Sequence, residues 1–226
     1  PDGQLQSQVL DLTALAAGPA SQAGTWADFT AWAPFGKAGD DAPANDCQAK
    51  INVSHDVNGL RVQVKVTDDE HHQTHAKGTP GHMWAQDSVQ LALDLDVLKP
   101  WQAGVVGSGL AGHRVFEFTV GGTAEGDGHA PVFCNRSYDP SVPANALCPG
   151  FKATVTRDGV VTHYDMLMPW DQLGLDKPMQ QNDVLGFAIA VNDVDPQRKT
   201  RRHGLRLFKG IAQTKDAKQF GKLWLH

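Results

Sequence analysis

Across residues 50–67 apolar and polar side chains alternate almost one for one. Ile51 and Val53 are followed, past a polar break, by Leu60, Val62, Val64 and Val66, with Arg61, Gln63 and Lys65 between them. A period of two is what a strand with one buried face requires. The break, Asp56-Val57-Asn58-Gly59, contains an Asn-Gly pair, which supplies the positive φ angles of a tight hairpin turn. A β-hairpin is predicted here. Further strands are predicted over residues 88–95, 114–120, 152–156, 160–167, 184–191 and 221–225. Helical periodicity is weak, and its best short segment is 170–175, bounded by Pro169 and Pro178. Many short strands, with glycine and proline punctuating the intervals, predict an all-β fold: a single antiparallel β-sandwich, jelly-roll-like, with minor helix.

Composition sharpens this picture. A chain of 226 residues with 41% hydrophobic and 20% charged residues has enough apolar surface for a core, and one domain over 1–226, with 1–5 as a tail, is the simplest reading. The net charge of −5 argues against a nucleic-acid partner, whose binders concentrate Lys and Arg on one face. The basic cluster Arg198, Lys199, Arg201 and Arg202 is flanked by Asp193, Asp195 and His203 and reads as a solvated hairpin loop. No stretch approaches the ~20 apolar residues of a membrane span. The start, Pro1-Asp2-Gly3, reads as an excised piece of a larger protein or as an arbitrary boundary.

Cys134 and Cys148 enclose a Pro-, Asn- and Ser-rich stretch, 135–147, which is read as a loop. A disulfide between them would stabilise the fold by about 3 kcal/mol in the chain-entropy model and imply an oxidising compartment; buried reduced thiols are the alternative. Zinc is not expected, because no Cys-x-x-Cys pair or Cys/His ligand spacing is present.

Three carboxylate pairs could carry chemistry: Asp68 with Asp69, Asp94 with Asp96, and Asp193 with Asp195. Residues i and i+2 of a strand share a face, so the last two pairs could converge. Each pair sits where a strand runs out into a loop, which suits solvation, or calcium at Asp94, Asp96, Asp193 and Asp195, better than the acid–base work of glycoside hydrolysis. His71, His72, His75 and His82 fall within twelve residues. Nothing in their spacing fixes them on one rigid element, so they read as a polar surface loop rather than a transition-metal site. No nucleophile elbow or phosphate loop is present, and no enzymatic machinery is visible. Among the tryptophans, Trp84 lies in a polar loop before a predicted strand, where an indole can stack on the apolar face of a sugar. Trp224 alternates with Leu223 and Leu225, and Trp170 follows Pro169 as a core plug.

Three segments resemble carbohydrate-binding module family 9 and its relatives of the cytochrome-like sugar-binding superfamily. They are Leu60 to Asp69 running on to Met83-Trp84-Ala85-Gln86-Asp87-Ser88-Val89-Gln90-Leu91-Ala92-Leu93-Asp94; Gly186-Phe187-Ala188-Ile189-Ala190-Val191-Asn192-Asp193; and Lys215-Asp216-Ala217-Lys218-Gln219-Phe220-Gly221-Lys222-Leu223. The resemblance covers roughly residues 46–226. It implies a sandwich with structural calcium, secreted as part of a xylanase or other polysaccharide-degrading enzyme, that grips sugar ends between two tryptophans. Trp84 falls on the first stacking tryptophan and Gln90 on a sugar-binding acid. A basic residue and an amide of the family fall on Glu117 and Thr119, and the second tryptophan on Thr214, all three departures. Asn192 completes the expected carbohydrate-binding set. The function so implied is a non-catalytic module that targets an attached enzyme to plant or algal polysaccharide. The alternatives are a haem b domain of the same fold, ligated through Met83 with His163 or Lys215, and a spacer without small ligand.

Overall fold

The computed structural model describes residues 26–28, 47–74, 82–100, 113–123, 126–137, 139, 142–195, 203–212 and 215–225. Twelve strands run in chain order among them: β1 (Ala27–Asp28), β2 (Cys47–His55), β3 (Gly59–Asp68), β4 (Ser88–Asp94), β5 (Val115–Val120), β6 (Val132–Ser137), β7 (Ala146–Leu147), β8 (Lys152–Asp158), β9 (Val161–Pro169), β10 (Val184–Asp193), β11 (His203–Leu207) and β12 (Gly221–Trp224). They form two antiparallel sheets, ordered β1-β2-β3-β9-β8 and β11-β10-β4-β5-β6-β7, with β12 also on β10. The predicted all-β sandwich is therefore what the chain forms. The helix expected over 170–175 shrinks to a single 3-10 turn, Asp171–Leu173. No described helix is long and apolar enough to cross a membrane.

The hairpin of β2 and β3 forms, with His55 opposite Leu60, but its turn differs from the prediction. Neither Asn58 nor Gly59 has positive φ. Instead the Asp56 carboxylate accepts the backbone N–H groups of Asn58 at 2.7 Å and Gly59 at 3.2 Å, as a short acidic side chain at the head of a turn does. Gly59 is required for another reason: a Cβ there would lie 2.4 Å from the Met168 carbonyl oxygen of the neighbouring β9.

The alternation read from the sequence is the sandwich core. Val62, Val64 and Val66 of β3 and Tyr164, Met166 and Met168 of β9 face Val89, Leu91 and Leu93 of β4, Phe116 and Phe118 of β5, and Phe187 and Ile189 of β10 in one cluster. Each such side chain contributes roughly 1.5–3 kcal/mol when taken from water.

Strand β10 carries two partners on one edge. Its second half pairs with β11, Ile189 opposite Leu207, and its first half with β12, Phe187 opposite Gly221. The segment between β11 and β12 consequently leaves the edge and folds over the outer face of the second sheet. Ile211, Ala212, Ala217 and Phe220 cover Ala92, Val115, Ala188 and Ala190 there, which is why β4 and β10 are buried along their whole length. The sequence gives no strand for β6, β7 or β11. Residues 135–137 and 146–147, read as loop, in fact close the edge of the second sheet, while β11 pairs beside the basic segment, of which 196–202 lie outside the described residues.

Candidate functional site

The outer face of β4, β5 and β6 carries a polar row. Val89, Leu91 and Leu93 point into the core, so Ser88 and Gln90 point away from it, as Glu117 and Thr119 do on β5. Gln90 Nε2 donates to Glu117 Oε1 at 3.3 Å. Arg136 Nη2 of β6 donates to Glu117 Oε2 at 3.0 Å, and its Nη1 reaches the Lys215 carbonyl at 3.2 Å. Asn135 Nδ2 donates to Thr119 Oγ1. On the β10 side Asn192 Nδ2 donates to Ser88 Oγ at 2.9 Å.

Asn135 and Arg136 are consecutive, yet both meet this face. The cause is a register break: Phe118 lies opposite Cys134 and Glu117 opposite Arg136, so Asn135 is the extra residue of a bulge. A bulge turns its strand locally and re-aims a side chain. Sequence reading missed both residues because alternation cannot reveal an inserted position. They bring an amide beside Thr119 and a guanidinium beside Glu117.

Gln90, Glu117, Thr119 and Asn192 are all at most 3% exposed, so in this structure they bond mainly to protein groups. Arg136, with a side chain 13% exposed, reaches furthest out of the Glu117 pair. Trp84 stands on the 3-10 turn Met83–Ala85 that precedes β4 and is 38% exposed, with Met83 beneath it buried. The His82 ring lies 5.5 Å from its indole.

No family model matches the chain, and no curated protein sequence matches it. Solved structures do. A carbohydrate-binding module family 9 from Caldicellulosiruptor kristjanssonii in complex with cellotriose is 18% identical, with a TM-score of 0.55 over 81% of this chain and 77% of that one. The same organism's module in complex with glucose is 17% identical, with a TM-score of 0.55 over 82% and 80%. The chain has the fold of carbohydrate-binding module family 9.

Within that family 9 fold the remaining expected site residues fall as follows. Thr214 lies outside the described residues; Lys215, the next residue in the chain, is held through its carbonyl by Arg136. Trp101 and Tyr138, the other aromatic rings that could supply a second wall, also lie outside them. Trp224 is exposed as fully as Trp84, in contrast to its buried neighbours Leu223 and Leu225. It sits opposite Val184, at the far end of the sheet from Asn192 and Ser88, on the order of 25 Å away at strand rise. It cannot form a pair with Trp84.

The four expected calcium ligands do not meet. Asp94 pairs with Gly186, while Asp193 lies one residue beyond the Asn192–Ser88 pair, roughly 23 Å away. Asp96 is committed to cations of the chain itself: Arg114 forks onto it at 2.7 and 2.8 Å, and Lys99 Nζ lies at 2.7 Å. Burial alone pushes the Asp96 carboxyl up; the hydrogen bonds from Arg114 and Lys99 overcome that and hold it well below the usual carboxylate range. Burial raises Asp94, which faces His113 Nδ1 at 3.2 Å. Asp96 is thus already engaged by Arg114 and Lys99.

Of the haem candidates, Met83 and His163 do not converge. His163 lies opposite Lys65 on the outer face of the first sheet, whereas Met83 adjoins β4 and β5 of the second.

Cys134 and Cys148 are both buried thiols in this structure, not a bridge. They are neighbours nonetheless: the hydrogen bond to Cys148, then burial, pushes the Cys134 thiol up.

A hollow of about 1230 Å³ lies elsewhere, between the β2–β3 hairpin and β8 and β9, beside Asp56, Arg61, His129, Asp165 and Trp170. It offers no stacking ring, since Trp170 is 2% exposed and its indole donates to the Asp56 carbonyl at 2.8 Å.

Proposed function

We propose that the chain is a non-catalytic carbohydrate-binding module whose platform is Trp84 and whose polar floor is the Gln90–Glu117–Arg136 row, with Asn135, Thr119 and Asn192 holding that floor in shape. The observation that carries the reading is the exposed indole on the turn before β4, in the same sheet as a hydrogen-bonded row of amide, carboxylate and guanidinium. Sugars present flat C–H faces to rings and hydroxyls to such groups, which is how mostly preformed sites fix them. Arg136 is the member that a saccharide hydroxyl meets first. In this reading the module is secreted and joined to a polysaccharide-degrading enzyme, which it directs to plant or algal polysaccharide such as xylan or cellulose.

The test is calorimetry of the chain against soluble xylans, glucans, mannans, pectins and their oligosaccharides, with and without EDTA. Binding to one class, lost in Trp84→Ala with the fold intact, is the expected result. Silence across the panel would remove the reading and leave a spacer domain.

A further inference from the structure

At the end of the core nearest Trp84, β3 and β4 each bring a carboxylate inward. Asp68 closes β3 on the core side of the first sheet, continuing the row of Val62, Val64 and Val66, and is 4% exposed. Asp87 immediately precedes β4 of the second sheet and is also 4% exposed. The segment following β3 then lays His71 between them, with Nδ1 3.2 Å from Asp87 Oδ2. One oxygen from each aspartate and a ring nitrogen of His71 all lie within 4.8 Å of one another.

The surroundings hold this set in place without neutralising it. Asp87 is fixed by two backbone donors, His72 N–H to Oδ2 at 2.6 Å and Val194 N–H to Oδ1 at 2.8 Å. Such outer hydrogen bonds orient metal-ligating carboxylates. Arg157, which packs alongside, directs its guanidinium to the Asp68 backbone carbonyl and the Thr162 hydroxyl, both at 2.9 Å, not to the carboxylate. Two buried carboxylates facing one imidazole call for a positive partner, since buried charges persist only when paired or coordinated. The Asp68 carboxylate accepts one backbone donor, the Glu70 N–H at 3.3 Å.

We infer that Asp68, His71 and Asp87 bind a divalent cation of the zinc class, which clips the two sheets together at this end of the sandwich. The donor set selects the ion. Imidazole suits zinc and its transition-metal neighbours, and three protein ligands with one position for solvent or another donor match four-coordinate zinc. Calcium takes six to eight oxygens, and backbone N–H groups already take up part of the oxygen lone pairs of Asp87. Reading for ligands at fixed sequence spacing does not find this set, because it comes from two sheets that only the fold brings together.

The experiment uses the full chain, stripped with EDTA, then supplied with one equivalent of Zn²⁺, Co²⁺ or Ca²⁺. Expected are a visible Co²⁺ absorption displaced by Zn²⁺ and a higher thermal midpoint with Zn²⁺ than with Ca²⁺. His71→Gln and Asp68→Asn each weaken Co²⁺ binding by about a hundredfold or more, since removal of an outer partner alone costs 10–100-fold. His163→Gln leaves it unchanged. Should His71→Gln fail to fold, Asp68→Asn carries the test, because it removes one charge at constant volume and is expected to stabilise the metal-free protein. No cobalt band, a band that survives both variants, or stabilisation by calcium that His71→Gln leaves intact would each overturn the inference. None of these readouts involves sugar.

Discussion

Arg136 and Glu117 form a cross-strand ion pair at 3.0 Å with side chains 13% and 3% exposed. The pair exists because a bulge in β6 puts Arg136 opposite Glu117. Breaking a buried pair from one side strands the other charge, which costs about 3–5 kcal/mol, whereas replacing both partners by apolar groups is often neutral. Arg136→Ala should therefore lower stability by that order in chemical denaturation, and Arg136→Met with Glu117→Leu should recover most of it. Both variants should lose saccharide binding. If the double variant binds as tightly as the parent, the row is structural and not the sugar floor.

Trp84 separates binding from folding. Its indole is 38% exposed on a short turn, so Trp84→Ala should change unfolding free energy by under about 1 kcal/mol, as surface substitutions do, while removing saccharide affinity below detection in calorimetry. A large fall in stability with binding retained would make it a packing residue.

The second wall can be rebuilt. The resemblance puts the family's second stacking tryptophan at position 214, where this chain has threonine. A ring stacked there should contribute about 0.5–1.5 kcal/mol, so Thr214→Trp should tighten saccharide binding about two- to tenfold. The gain should vanish in the Trp84→Ala background; an equal gain in both backgrounds would mean nonspecific adhesion.

Cys134 and Cys148 sit close enough for their thiols to interact. Oxidation should join them, with loss of two hydrogens by mass spectrometry and about 3 kcal/mol of added stability for the thirteen-residue loop, reversed by reductant. A disulfide that instead recruits Cys47 would show that the pairing is wrong.

Asp96 gives a pH signature. Its carboxyl lies below the usual range because Arg114 and Lys99 donate to it, so its stabilisation is complete above the unfolded carboxylate pKa and is lost as pH falls through the lower folded one. Asp96→Asn should cost about 2 kcal/mol near neutral pH, and the gap to the parent should close only in acid. A gap that widens below pH 4 would contradict this.

The order of the strong strands, their inward faces and the hairpin of β2 and β3 were written in the chain itself. Period-two alternation is a local consequence of pleating, so Val62, Val64 and Val66 or Leu91 and Leu93 declare their faces wherever they fold. Trp84 could be picked out for the same reason: a large ring in a polar loop has no local partner to bury it. What the chain could not declare were relationships between strands distant in sequence. The bulge that gives Asn135 and Arg136 to the polar row is a matter of register with β5, and β11 is a strand only because β10 offers it an edge. Asp94 and Asp96 read as calcium candidates, and only the fold shows Arg114 and Lys99 set against Asp96 and His113 against Asp94. Asp68 read as half of a carboxylate pair and His71 as part of a surface loop; the fold sets both beside Asp87. Side-chain pattern fixes which face is buried, but charge compensation depends on what lies across the core, and that only tertiary packing decides.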